Sequence, residues 1–200
     1  MDFILYVVRT GCQWQMLRGD FPCWSTVSGL FRSGVRSGVW ETIHDRLREQ
    51  FRQAVGKKKR WTSVVILDSQ SVRTAEGGLE RGDDGANWPV QDGACFLLMK
   101  FRRLCPRLKV LHADSACGRN ELLVRVSQTF GWGLQVVLRP MGIKKFMVVS
   151  KRWIVERTFA WLARYRRHTR DYERTPKSSE AVTYLAMINI VNKRLGRMIC

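Results

Sequence analysis

Apolar residues along this chain keep two different periods, and the change of period divides it. Residues 2–9 (DFILYVVR) read as the end of a helix, and residues 10–24 as a loop rich in aromatics and turn formers. From Ser25, a candidate cap, Val27, Leu30 and Phe31 share a helical face until Gly34 and Gly38 break it. Trp40, Ile43, Leu47, Phe51 and Ala54 then form a second stripe, with Glu41, Asp45, Arg48 and Arg52 outside it. The two stripes predict a helical pair with a Gly-containing turn. Such a pair fits a DNA-binding helix-turn-helix or a plain packing hairpin.

The period shortens after the basic link GKKKR at 56–60. The run TSVVILD, ending at Asp68, is β-branched and apolar and predicts a buried strand. Residues 69–93 are polar and Gly-rich, hence loop; residues 94–104 are weakly helical, and Pro106 ends them. LKVLHAD at 108–114 predicts a second strand, again ending in Asp. A helix over 119–130 puts Leu122, Leu123, Val126 and Phe130 inside, and LQVVLR at 134–139 is a third strand. A basic helix runs from about 151 to 168. The last helix, about 178–195, aligns Val182, Leu185, Ile188 and Asn192. Alternating strands and helices predict an α/β fold with a parallel sheet and function at the carboxyl ends of its strands.

Composition narrows the partners. Hydrophobic residues are 45% and charged residues 26% of 200, values that exclude whole-chain disorder. No apolar run approaches the roughly 20 residues that span a bilayer. The start, MDFILYVVRTGCQW, has no basic region ahead of its short apolar run and makes a poor secretory signal. Lys and Arg total 35 against 17 Asp and Glu, a net charge of +18, and 25 of the 35 are Arg. Such an excess attracts polyanions, and the Arg fork matches phosphate, so nucleic acid is the expected partner. The cysteines at 12, 23, 95, 105, 117 and 200 make no C-x-x-C pair, and His44, His112 and His168 complete no zinc spacing. Free thiols in a reducing cytoplasm are the expectation.

Three carboxylates stand out from this charge. Asp68 and Asp114 each follow an apolar strand, and Glu156 is the single acid among seven Lys or Arg between 151 and 170. Taken singly, each has a plain role: an Asp after a strand is usually a turn former or cap, and Glu156 can pair with Arg152 four residues earlier. Taken together, they suit phosphodiester chemistry, in which hard divalent ions are held by a few carboxylates and the substrate phosphate. Arg152, Arg157 and Arg164 can then hold the DNA backbone.

At these residues the chain resembles bacterial insertion-sequence transposases of the DDE class, with the Y-R-E-K type signature of the IS4-like superfamily. The resemblance rests on ILDSQSVRTAEGG around Asp68, PRLKVLHADSACG around Asp114 and KRWIVERTFAWLARYRRHTRDYER around Glu156. RTGCQWQMLRGDFPCWSTV and SSEAVTYLAMINIV add to it. Val149 stands where the signature has Tyr, and its Lys falls on Ala163, beside Arg164. The chain then divides into a small helical section over 1–56, open to DNA binding or to plain packing, and a second section over 61–200. For the latter the resemblance implies an RNase H-like DDE core, built of parallel strands with flanking helices. It implies catalytic, metal-holding Asp68, Asp114 and Glu156, with Mg²⁺ or Mn²⁺ as cofactor. Water would attack the phosphodiester first, and the freed 3′-hydroxyl would then attack target DNA. Arg166, Arg167 and the link residues Lys57, Lys58 and Lys59 complete the expected contacts to double-stranded DNA, at the element's terminal repeats and the target. A homo-oligomer in the bacterial cytoplasm, associated with the nucleoid, is implied as well.

This chain departs from that pattern in three ways. RGDDGANWPVQDGACF passes over the region where the family has two more strands, an internal shortening near 85–86 that removes the second and third strands of an RNase H-like sheet. The first strand would then lie beside the strand carrying Asp114, leaving one apolar edge bare. Family members also carry a helical segment ahead of DFILYVVRTGCQW. Ser115, Ala116 and Cys117 replace Gly-Gly-Tyr after the second Asp. The expectation is a decayed or internally deleted transposase copy, truncated and open to being inactive, that keeps the three acids and the basic helix. The competing readings are a non-catalytic basic DNA-binding remnant and a simple RNase H-like nuclease.

Overall fold

The computed structural model describes residues 1–57, 64–67, 73, 98–99, 102, 108–114, 127–137 and 152–199. Those residues form two compact units. One is helical and joins the N-terminal residues to the chain from Phe159 onward. The other holds the strands and the chain up to Thr158. The second unit therefore interrupts the first in sequence, whereas the order of motifs suggested a division near residue 60.

The helical unit contains α1 (Asp2–Thr10), a 3₁₀ turn (Trp14–Met16), α2 (Trp24–Ser37) and α3 (Val39–Ala54). The end of α4 (Arg152–Leu162), a second 3₁₀ turn (Arg166–His168) and α5 (Pro176–Ile199) complete it. Its core gathers Ile4 and Val8 of α1, Val27 and Phe31 of α2, Trp40 of α3, Tyr165, and Ala181, Val182, Leu185 and Ala186 of α5. Ile4 and Leu185 are fully buried. Helix α5 packs most extensively on α3. The Tyr184 hydroxyl donates to Glu41 Oε1 across that seam at 3.1 Å. Pro176 opens α5, where its missing N–H costs no helical bond, and the Thr175 hydroxyl accepts from Ser178 N–H at 3.3 Å.

Several local expectations change. Gly34 does not break α2; it lies inside the helix because the Trp40 ring passes over it. A Cβ there would stand 2.3 Å from Trp40 Cε2. The indole N–H donates to Phe31 O at 3.2 Å, so the ring is held in that position. The stop is Gly38, at φ 69° in the left-handed region that glycine enters without strain. Leu30 turns outward at 49% exposed, and Asn192 is exposed while Val191 is buried. The basic helix ends at Leu162 rather than 168 because the backbone extends at Tyr165, which carries that ring into the core.

The second unit contains β1 (Val64–Leu67), β2 (Val110–Asp114) and β3 (Gly133–Val137), in that spatial order and all parallel. The expected adjacency of the first strand to the strand of Asp114 is found. Leu111 and His112 at the centre of the sheet are buried. Residues 127–130 are helical, and Phe130 stacks on Trp132 with centroids 4.7 Å apart. The start of that helix, the region near 85–86 and the loop at Ser115, Ala116 and Cys117 lie outside the described residues. Cys12 and Cys23 are free thiols. Among the described residues no helix is long and apolar enough to cross a membrane.

Two predictions follow from this packing. Gly34→Ala lowers stability by about 1–3 kcal/mol, read as an earlier thermal melt, because a buried ring must shift to admit the methyl. Burial holds the His44 imidazole below its ordinary range against the opposing pull of Asp45, and it holds that of His168 down likewise. The unfolded chain then takes up protons that the folded one refuses. Stability therefore falls as pH drops through the ordinary histidine value of 6.5 and levels off below the folded values. Melts from about pH 7.5 to about pH 5.5 measure the slope, and replacing both histidines with Gln shrinks it.

Candidate functional site

The sheet sets the frame for the acids. Val64 pairs with Val110, Ile66 with His112 and Leu67 with Ala113, so β1 and β2 run the same way in a continuous register. β2 ends at Asp114, whose backbone pairs with Val137 of β3. Asp68 follows Leu67 in sequence and lies outside the described residues, as does the side chain of Asp114. Glu156 is exposed on α4 and belongs to the same compact unit as the strands. Three carboxylates offer hard oxygen donors, the chemistry that Mg²⁺ or Mn²⁺ prefers over zinc or copper. Among the described residues no group of three His, Cys, Asp or Glu side chains is arranged to hold a metal ion.

The expected DNA-binding cations take different positions. Arg157 is exposed, with its guanidinium 4.4 Å from the ring centroid of the half-exposed Trp153 on the preceding turn. That stacking flattens the charge onto the helix surface and lowers the freedom lost on binding. Arg164 and Arg166 are exposed beyond the end of α4, and Lys57 is exposed past α3. Lys58, Lys59 and the side chain of Arg152 lie outside the described residues.

Arg167 must be withdrawn as a DNA contact. It is 8% exposed and closed in by the helical unit itself. Its Nε and Nη2 donate to Glu173 Oε1 at 3.0 and 2.8 Å, and Nη1 donates to Cys12 O at 3.1 Å. The guanidinium lies 5.7 Å from the Trp14 ring and 5.3 Å from Tyr172. The side chain ties the loop after α1 to the link before α5. Sequence reasoning counted it with its neighbours because a run of cations does not show which member turns inward. The one available signal was Glu173, six residues on.

Comparison with known proteins finds two family matches. Residues 138–192 match a family described as a transposase DDE domain. Residues 1–44 match a second family, described as "Putative transposase of IS4/5 family". Together the two matches support an insertion-sequence DDE transposase, and more particularly one of the IS4/5 type. The DDE match covers Glu156 and its arginines, and the other covers α1, α2 and the start of α3. No curated protein and no solved structure matches the chain.

The burial of Arg167 makes a prediction. Arg167→Ala leaves the Glu173 carboxylate, itself 10% exposed, without its partner and lowers stability by about 3–5 kcal/mol. Denaturant titration measures the loss. Arg164→Ala, at an exposed position, stays within about 0.5 kcal/mol of the wild type.

Proposed function

We propose that this chain is an IS4/5-type transposase that binds the ends of its element and cuts and rejoins DNA with a divalent metal held by Asp68, Asp114 and Glu156. The observation that supports this reading is the parallel register of β1 and β2. Leu67 opposes Ala113, and in each strand the next residue of the sequence is an Asp. Ligands of open parallel sheets gather at that end of the strands. The order β1-β2-β3 also fits an RNase H-like core that lacks its second and third strands.

In this reading the three carboxylates hold Mg²⁺ or Mn²⁺. When bound, such ions stabilise charge on the attacking and leaving oxygens of a phosphodiester. Arg152, Arg157, Arg164, Arg166 and the link Lys57, Lys58 and Lys59 hold the DNA backbone. They fix its register without reading its sequence. Water attacks at the element's end, and the released 3′-hydroxyl attacks the target. The substrates are double-stranded terminal repeats and target DNA, the working form is a homo-oligomer, and the site of action is the bacterial cytoplasm at the nucleoid.

The test is cleavage of DNA carrying the terminal repeats, with Mg²⁺ or Mn²⁺, by the wild type and by Asp114→Asn. The expected result is cleavage by the wild type alone, with DNA binding kept or strengthened in the variant. DNA bound without cleavage by either protein identifies a basic remnant instead. Equal cleavage by both removes Asp114 from the site.

A further inference from the structure

The helical unit carries a cleft of about 290 Å³ that the acids and the basic face of α4 do not account for. Arg9 from the last turn of α1, Arg164, and Lys193, Arg194 and Arg197 from the last turns of α5 line it. No acidic residue is among its lining residues. Five like charges converging on one concavity repel each other in the folded state, so the arrangement favours an anion in the cleft. Arg9, Arg164, Lys193 and Arg197 are exposed, so their charged ends reach a ligand from solvent.

The remaining wall is Trp161, Tyr165 and the aliphatic Ile190. Trp161 lines the cleft, and the Arg194 guanidinium lies over its ring, 3.9 Å from the centroid. Tyr165 forms the buried floor at 6% exposed. A flat guanidinium backed by an indole is a surface on which a nucleobase stacks, and cations around an aromatic platform are the common design of single-strand binding sites. The volume lies just below the roughly 300–1,000 Å³ of drug-sized ligand clefts. That admits one nucleotide-sized group, whereas the side of a duplex offers a ridge too broad to enter.

We propose that this cleft binds one nucleotide of single-stranded DNA, with the phosphate among Arg9, Arg164, Lys193 and Arg197 and the base against the Arg194–Trp161 pair. The choice of DNA as the polymer rests on the transposase reading; the preference for a single strand rests on the cleft. Of its cations, only Arg164 was legible as a DNA contact in the sequence. Arg9 lies 184 residues or more before these cations of α5 (193 − 9 = 184), and folding brings them together.

The test uses the full chain and a short fluorescein-labelled oligothymidylate, with its duplex as comparison, followed by fluorescence anisotropy. Arg9→Gln/Arg197→Gln is compared with Arg36→Gln/Arg46→Gln, which removes the same charge from exposed positions of α2 and α3 outside the cleft. The cleft pair weakens single-strand binding tenfold or more, and its log–log salt slope falls by about 1.4 for two lost phosphate contacts. The control pair changes binding less than threefold. Trp161→Leu weakens it by about five- to a hundredfold through lost stacking. Both aims remain separable, because Asp114→Asn abolishes cleavage without changing single-strand binding. Equal losses in cleft and control pairs overturn the proposal, as does a loss seen only with duplex. Undiminished cleavage alongside either of those results sinks the cleft and leaves the transposase reading standing.

Discussion

The helical unit depends on the burial of α5 by helices more than a hundred residues earlier. Its stripe of Val182, Leu185 and Ala186 is covered mainly by α1, α2 and α3, with Tyr165 beside them. Closing so long a loop has an entropic cost that rises only slowly with length, and fully buried aliphatic side chains at about 1.5–3 kcal/mol each offset it. The details of the unit follow from that closure. Trp40 lies flat over Gly34, the backbone extends after α4 so that Tyr165 enters the same core, and the Arg167–Glu173 pair seals the link before α5.

A net charge of +18 describes the chain as a whole, yet folding assigns its arginines to different physical tasks. Arg167 is buried and bonded to a carboxylate and a carbonyl, and it works as a structural tie. Arg157 and Arg194 lie on indole rings, where the charge stays near the surface with its motion restricted. Arg9, Arg164 and Arg166 remain exposed. The attraction for a polyanion is therefore carried by the last two groups, and substitutions in the first act on stability.

Much of the candidate site was legible because its signals are local. An apolar run ending in Asp twice over marked the strands, and an acid isolated among seven cations marked Glu156. The parallel order of β1 and β2 followed from strand and helix alternation and was found in the structure. What misled was also specific. Gly34 read as a helix breaker, since glycine has poor helix propensity, but a ring nine-tenths buried required its missing side chain. Leu30 fitted the helical stripe by spacing and turns outward, because periodicity marks a face without marking its width.

The sequence by itself determined the helical stripes, the three strands, the cationic excess and the candidate acids, since each depends on residues within one turn or one strand. Only the tertiary structure decided that the first and last helices share one core, that Arg167 turns inward, and that Arg9 meets the cations of α5 at a cleft. The physical reason is common to all three. Burial and charge convergence depend on side chains far apart in the chain, and a local pattern carries no record of which distant surface will cover it.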